Sequence, residues 1–95
     1  MSYWVYILIS RNHNKFITYV GYTNNIKKRL DLHNTSKGAK FTKGRKWRLI
    51  YKKSYKNKST AIKNEYKLKK DKFKRNQIKY KYIKSIYENC NTTTL

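Results

Sequence analysis

One stretch of the chain decides the predicted fold: Tyr19-Val20-Gly21-Tyr22-Thr23-Asn24-Asn25-Ile26-Lys27-Lys28-Arg29-Leu30-Asp31-Leu32-His33. It begins as a strand-like apolar run that ends at Gly21, and the Thr-Asn-Asn that follows supplies residue types that begin helices. A helix over about 25–34 then places Arg29 and His33 on one face, because they are four residues apart. A guanidinium and an imidazole therefore lie together just after the end of a strand.

Residues on either side of this stretch predict a small antiparallel sheet. β-Branched and aromatic residues over 3–9 are typical of a central strand, and a turn over 10–14 would join it to a strand over 16–21. Consecutive strands joined by a short turn pair antiparallel. A third strand is expected over 47–55, with alternate side chains on opposite faces: Trp47, Leu49 and Tyr51 on one, Arg48, Ile50 and Lys52 on the other.

Two helices are expected after the third strand. The first runs from about 61 to 73, capped by Ser59 or Thr60, and the second repeats apolar residues at four-residue spacing over 78–87. The order β-β-α-β-α-α, with helices flanking a small three-stranded antiparallel sheet, makes an α+β fold. We expect one domain over 1–88 and a frayed tail over 89–95.

The charge of the chain is strongly unbalanced. Twenty-five lysines and arginines stand against four acidic residues, for a net charge of +21. Such a surface attracts polyanions, so nucleic acid, either DNA or RNA, is the leading partner and an anionic membrane surface is the second candidate. A/T-rich coding would explain an excess of lysine over arginine better than it explains the shortage of acids. We expect no membrane partner, because the apolar run over 3–9 is too short to span a bilayer and no lysine-rich helix has a wide apolar face.

The sequence favours a reducing compartment. Its one cysteine, Cys90, can form no internal disulfide, and no cysteine–histidine cluster has the spacing of a zinc site. The first residues lack the basic-then-apolar pattern of a secretion signal. We therefore expect an intracellular, non-secreted protein, either cytoplasmic or associated with the nucleoid or nucleus.

Glu65 stands out because acidic residues are so rare in this chain. It shares a helix face with Ala61 and Leu68, four residues before it and three after it. Two alternatives are open for its carboxylate. An ion pair with Lys69, at i+4, is the commoner arrangement, and a metal ligand is the functional one.

Arg29 and His33 form the second candidate cluster. Taken singly, each has a plain structural explanation, as a solvated cation and as a boundary histidine. Together after Tyr19-Val20-Gly21 they favour a phosphate site, because arginine binds phosphate oxygens in a bidentate manner and histidine moves protons near neutral pH. Gly21 permits close backbone approach or a positive φ at the turn.

These motifs resemble the GIY-YIG nuclease superfamily. Trp4-Val5-Tyr6 stands where the first strand of that family carries G-I-Y, with Trp4 in place of the glycine, and Tyr19-Val20-Gly21 stands where the second carries Y-I-G. Arg29 and His33 fall where the family helix carries an arginine followed by a histidine or tyrosine.

The resemblance continues to about residue 83. Residues 37–44 are similar to the G-A-K-Y-T loop of small stand-alone members, and Glu65 matches the metal-binding glutamate of a later helix within Glu65-Tyr66-Lys67-Leu68-Lys69. Many members carry a late asparagine in the active site, for which Asn76 is the candidate here.

The resemblance implies a divalent-metal-dependent endonuclease that hydrolyses DNA phosphodiester bonds, with structure-selective repair or recombination among its roles. Glu65 would hold Mg²⁺ or Mn²⁺, Arg29 would bind the scissile phosphate, and Tyr6 or Tyr19 would position the attacking water and accept its proton, assisted by His33. A free phenol has a pKa of about 10, so Arg29, nearby lysines and the metal would have to lower it.

The basic loop is expected to bind backbone phosphates, and its aromatic residue is expected to stack on unpaired bases. The candidate contacts are Lys37, Lys40, Phe41, Lys43, Arg45 and Lys46. Two alternatives to an enzyme are open: a non-catalytic nucleic-acid-binding protein on the same fold, and a structural RNA-binding protein.

Overall fold

A computed structural model of the chain describes the backbone of residues 2–94 and the side chains of residues 2–88. Its strands and helices follow the predicted order, and a 3₁₀ turn, Lys40–Thr42, lies within the basic loop. The elements are β1 Tyr3–Asn12, β2 Lys15–Thr23, α1 Ile26–Asn34, β3 Arg48–Tyr55, α2 Lys58–Lys70 and α3 Lys72–Thr94. The predicted α+β class is confirmed.

The sheet has the strand order β2-β1-β3, with both pairs antiparallel. Residues 5–10 of the central strand β1 are all buried, because helices cover both faces of the sheet. On one face Val5 and Ile7 pack with Ala61 and Leu68 of α2; we call this the α2 face.

The opposite face, which we call the α1 face, carries Tyr6 and Leu8 of β1. They pack with Trp47 and against Ile26 and Leu30 of α1. The period-two alternation of β1 therefore divides the molecule into two layers of side chains on either side of the sheet, and it places the Tyr6 phenol in the same layer as α1.

Strand β3 departs from the predicted alternation. Ile7 pairs with Tyr51 and Leu8 pairs with Leu49, so Ile50 is an extra residue in a β-bulge. Leu49 packs on the α1 face, whereas Ile50 and Tyr51 both pack on the α2 face. The prediction that Leu49 and Tyr51 share a face is wrong, because the extra residue shifts the alternation of the strand.

Acidic and amide side chains set the ends of α2. Its N-cap is Asn57, whose Oδ1 accepts a hydrogen bond from the Thr60 N–H at 2.9 Å. The predicted cap at Ser59 or Thr60 is wrong, since both hydroxyls donate to Asn57 instead. At the other end Asp71 terminates α2 and its Oδ1 accepts from the Lys74 N–H at 3.0 Å, so α3 begins where a continuous helix to residue 73 was expected.

The predicted tail over 89–95, with Cys90, concerns side chains outside the described residues, so the division into a domain and a tail stays a prediction. Across the helices that the structure describes, none has both the length and the apolar character needed to cross a membrane.

Candidate active site

Tyr6 lies at the centre of the site residues that the sequence predicts. Its side chain is on the α1 face of β1 and is 2% exposed. Tyr6 pairs with Gly21 of β2, and a Cβ built on Gly21 would overlap the phenol oxygen and lie 2.6 Å from Cζ. Since Gly21 is in extended strand backbone, the site needs glycine there for space and not for a positive φ.

His33 binds the Tyr6 phenol from the last turn of α1. The imidazole is fully buried, and its Nε2 lies 3.0 Å from Tyr6 Oη. Its Nδ1 lies 2.9 Å from Thr42 Oγ1. Burial, together with the positive charge of Arg29, lowers the pKa of His33 below its usual value, so the ring is neutral at pH 7.

Burial also controls the protonation of Tyr6. It raises the pKa of Tyr6 to about 12, even though the Arg29 guanidinium beside it acts in the opposite direction; the charges of Tyr19 and Glu65 add to the rise. The lowered phenol pKa expected from the sequence is therefore wrong for Tyr6. Desolvation of the phenolate outweighs the effect of the nearby cation.

Arg29 lies one helical turn before His33, as the spacing predicts. The Nε of its side chain is buried and has no hydrogen-bond partner within the described part of the chain. Buried guanidinium donors are normally paired, since leaving one unsatisfied costs about 1–3 kcal/mol or more. Because this atom is buried, the side chain must shift before an acceptor from outside the protein can reach it.

Tyr19 extends the cluster towards the surface. Its ring centroid is 5.1 Å from that of His33 and 6.5 Å from that of Tyr6. On the outer side Phe41 stacks on Tyr19 at 6.3 Å with an interplanar angle of 20°. A row of rings therefore leads from the buried imidazole to Phe41, which is 54% exposed. Trp47, at 3% exposure, belongs to the core.

Glu65 reaches the cluster through its charge and not through a contact among the described residues. It lies on α2, which packs on the opposite face of the sheet from Tyr6, yet its carboxylate contributes to the raised pKa of the Tyr6 phenol. The expected i+4 ion pair is present, with Lys69 Nζ 3.2 Å from Glu65 Oε1. No group of three or more His, Cys, Asp or Glu side chains within the described residues could hold a metal ion.

The basic loop places its predicted contact residues on the surface. Arg45 lies 5.8 Å from the Phe41 ring centroid, and Lys37, Lys40, Lys43 and Lys46 are exposed. Lys43, Arg45 and Lys46 line a groove of about 470 Å³ together with Arg11, which the sequence analysis did not single out.

Asn76, like Glu65, makes no contact with the Tyr6 cluster among the described residues. It lies in the second turn of α3, and no hydrogen bond or ion pair joins it to Tyr6, Tyr19, Arg29 or His33 among the described residues.

Two residues beside His33 were missed. Thr42 is fully buried and bonds the imidazole. A Cβ built on Gly38 would lie 2.5 Å from His33 Nδ1, so the loop needs glycine there to pass the ring. Both lie in the segment that is similar to the G-A-K-Y-T loop, and that similarity was the sequence signal that could have pointed to them.

Comparison with known proteins assigns the family that this fold and cluster indicate. The GIY-YIG catalytic domain matches residues 2–81, and the chain belongs to the GIY-YIG family, whose domain is a nuclease domain. It is 45% identical over 69 residues to the UPF0213 protein OB0043 of Oceanobacillus iheyensis, which covers 72% of this chain and 77% of the relative. The UPF0213 proteins form a small GIY-YIG family.

Two further relatives bear the same UPF0213 name. The protein SH2523 of Staphylococcus haemolyticus is 39% identical over 69 residues, covering 72% of this chain and 80% of that protein. The solution NMR structure of the protein BH0048 from Bacillus halodurans is 32% identical, covers 82% of each chain and has a TM-score of 0.45.

Proposed function

We propose that this protein is a divalent-metal-dependent endonuclease that hydrolyses DNA phosphodiester bonds. The observation that supports this most directly is the buried Tyr6–His33 hydrogen bond beside Arg29, whose buried Nε has no partner among the described residues. A guanidinium with one unsatisfied donor, in a protein of net charge +21, suits the non-bridging oxygens of a backbone phosphate.

In the proposed reaction Arg29 binds the scissile phosphate and offsets the negative charge that develops on it. The Tyr6 oxygen accepts a hydrogen bond from the attacking water, and the water proton passes to the Tyr6–His33 pair as the water oxygen bonds to phosphorus. The phosphorus–oxygen bond to the 3′-oxygen breaks on the opposite side, and that oxygen takes a proton from solvent. Tyr19 packs against both rings and positions the water.

The pair of Tyr6 and His33 removes a difficulty that a tyrosine base alone would face. With a pKa of about 12, Tyr6 is not ionised at neutral pH. If the phenol gives its own proton to His33 while it takes one from water, a buried phenolate never has to accumulate. The neutral state of His33 leaves one ring nitrogen available as the acceptor.

Glu65 is the side chain proposed to hold Mg²⁺ or Mn²⁺. A single carboxylate suits Mg²⁺, which binds one or two carboxylates and fills its other positions with water and substrate phosphate. The Glu65 side chain is 15% exposed, and its partner Lys69 is 51% exposed. The lysine can therefore move into solvent when a metal ion binds, without leaving a buried cation unpaired. When bound, the ion would polarise the phosphate and stabilise the leaving oxygen.

Nicking of supercoiled plasmid, with Mg²⁺ or Mn²⁺ and with a chelator, tests the proposal. Arg29→Ala and Glu65→Ala should each abolish metal-dependent nicking. Arg48→Ala removes an exposed arginine, and Glu88→Ala removes an i+4 ion pair with Lys84 like that of Glu65; both controls should cut as the wild type does.

Wild-type nicking by Arg29→Ala or by Glu65→Ala would contradict the proposal. Tight DNA binding by the wild type without any nicking would favour the second candidate, a non-catalytic nucleic-acid-binding protein on the same fold.

We further propose that the enzyme is selective for DNA with unpaired bases near the cut. Phe41 is 54% exposed, stacks on Tyr19 and has the Arg45 guanidinium over its ring, 5.8 Å from the centroid. An aromatic ring next to a cation binds a base that is free of its pairing partner. The exposed lysines of the loop would hold the neighbouring phosphates, without sequence preference.

A further inference from the structure

Thr42 closes a chain of three hydrogen bonds that begins at Tyr6, of which the first two are buried and the last is part-buried. The Tyr6 Oη lies 3.0 Å from His33 Nε2, and His33 Nδ1 lies 2.9 Å from Thr42 Oγ1. Thr42 Oγ1 in turn donates to the backbone carbonyl of Ala39 at 2.7 Å. The tyrosine, histidine and threonine side chains are each at most 2% exposed, so bulk water does not compete for these bonds.

The last acceptor fixes the direction of the whole chain. A carbonyl oxygen only accepts, so the single hydroxyl proton of Thr42 points at Ala39. Towards His33 the Thr42 oxygen can then only accept, and Nδ1 must carry the ring proton. In a neutral imidazole this leaves the lone pair on Nε2, so Tyr6 donates its phenol proton to His33.

We infer that Thr42 is a positioning residue that selects the Nδ1–H tautomer of His33, so that Nε2 is the base that takes the Tyr6 proton. This inference rests on the proposed nuclease function for its catalytic meaning. As water attacks the phosphorus, its proton moves to the Tyr6 oxygen, and the phenol proton moves to His33 Nε2. The opposite tautomer would present an N–H to Tyr6, and no proton could be taken up there.

The surrounding loop holds Thr42 in this role. The Trp47 indole N–H donates to the Thr42 carbonyl at 3.0 Å, and the Thr42 N–H donates to Ala39 at 3.0 Å. Gly38 lets the loop pass directly against the imidazole. The threonine hydroxyl is therefore fixed by backbone contacts that do not involve DNA, and the tautomer is set before substrate binds.

Long-range ¹H–¹⁵N correlation spectra of labelled protein at neutral pH show which ring nitrogen carries the proton. The chain has two histidines, and the exposed His13 serves as an internal reference. We expect His33 to be the Nδ1–H tautomer in the wild type and in Thr42→Ser, which keeps the hydroxyl. In Thr42→Val, which is nearly isosteric, we expect the Nε2–H tautomer or a mixture.

The nicking rate should be high where His33 is the Nδ1–H tautomer and low where it is not. A correctly placed general base contributes about 10²–10⁴-fold, so Thr42→Val should slow nicking by at least about tenfold and Thr42→Ser by less than about threefold. Circular dichroism and urea unfolding check that each variant is folded. If Thr42→Val does not fold, the wild-type spectrum alone still tests the inference. The Nε2–H tautomer of His33 in the wild type would overturn it.

Two other results would overturn the inference. One is an Nδ1–H tautomer of His33 that persists in Thr42→Val, and the other is a changed tautomer in that variant with an unchanged nicking rate. The two proposals fail separately. A wild type that never nicks DNA refutes the nuclease, while its spectra and those of Thr42→Val still decide whether Thr42 sets the tautomer.

Discussion

Replacing Gly21 by alanine should disable the site through one added methyl group. The new Cβ would overlap the Tyr6 oxygen and lie 2.6 Å from Cζ, against a usual carbon–carbon contact of about 3.5–4.0 Å. The ring must therefore move by about 1 Å. Overpacking of this kind costs about 1–3 kcal/mol, and disrupting the buried Tyr6–His33 hydrogen bond costs about 1–3 kcal/mol more.

Alanine has a small opposing benefit, because it is better than glycine in extended backbone by about 0.5–1 kcal/mol. We expect Gly21→Ala to lower the free energy of unfolding by about 1–5 kcal/mol in net terms. Urea unfolding measures this as a lower midpoint at an unchanged slope. Plasmid nicking by the variant should be lost, because the phenol no longer meets His33.

A double-mutant cycle separates the steric cause from a general weakness of the strand. In a Tyr6→Leu background the phenol is gone, so adding Gly21→Ala should cost nothing or stabilise by up to about 1 kcal/mol. Gly44→Ala is the control, since a Cβ there meets nothing within 4 Å but sits at φ +74°; it should cost about 1 kcal/mol and keep nicking.

The reasoning is refuted if Gly21→Ala unfolds within about 0.5 kcal/mol of the wild type, or if it costs the same amount in both backgrounds.

Two further predictions concern the phenol and the exposed ring. Because the folded-state pKa of Tyr6 is about 12 and the unfolded value is 10.0, the wild type should have its full stability below about pH 10 and lose roughly 2 kcal/mol as the pH rises to about 12. Tyr6→Phe lacks this loss, so urea unfolding at about pH 9 and about pH 11.5 should show the smaller decline in the variant; equal declines would contradict the raised pKa. Phe41→Ala should weaken binding of single-stranded or flapped DNA by about 5- to 150-fold, the value of one stacked base, and leave duplex binding unchanged in gel-shift assays. Phe73→Ala removes another exposed ring, 73% exposed on α3, and is the matched control; an equal loss on all substrates would show that Phe41 does not read unpaired bases.

The fold was predictable because a short turn joins β1 to β2 and because the apolar runs of the strands and helices are local. The errors fall where one residue changes a local pattern. The bulge at Ile50 looks like ordinary alternation in sequence. Asn57 caps α2 from upstream of two hydroxyl residues that are equally good candidates by type. At Asp71 the chain makes a break that helix propensity alone does not signal, because lysine-rich sequence continues on both sides.

The site was predictable to the extent that helix and strand spacing define it. Arg29 and His33 share a helix face, and Tyr6 lies on the neighbouring strand, so their proximity follows from period and topology. Thr42 forms a hydrogen bond with His33, nine residues away, from an irregular loop. Helix and strand periodicity in the sequence cannot predict such a contact. The pKa of Tyr6 was misjudged for a related reason: cations are visible in a sequence, whereas the desolvation that outweighs them is a property of the packed core.

The opposed pKa changes of Tyr6 and His33 fit each other. A raised phenol pKa and a lowered imidazole pKa keep both groups neutral at pH 7, so their hydrogen bond buries no ion pair. Arg29 then carries the only formal charge among these three side chains, and its buried Nε has no hydrogen-bond partner within the described residues. A bound phosphate would neutralise the guanidinium and supply the field that favours an imidazolium on His33. Under the proposed mechanism the base would therefore gain strength when the substrate binds, and burial that disfavours ionisation of both groups in the free protein would not disable them in the complex.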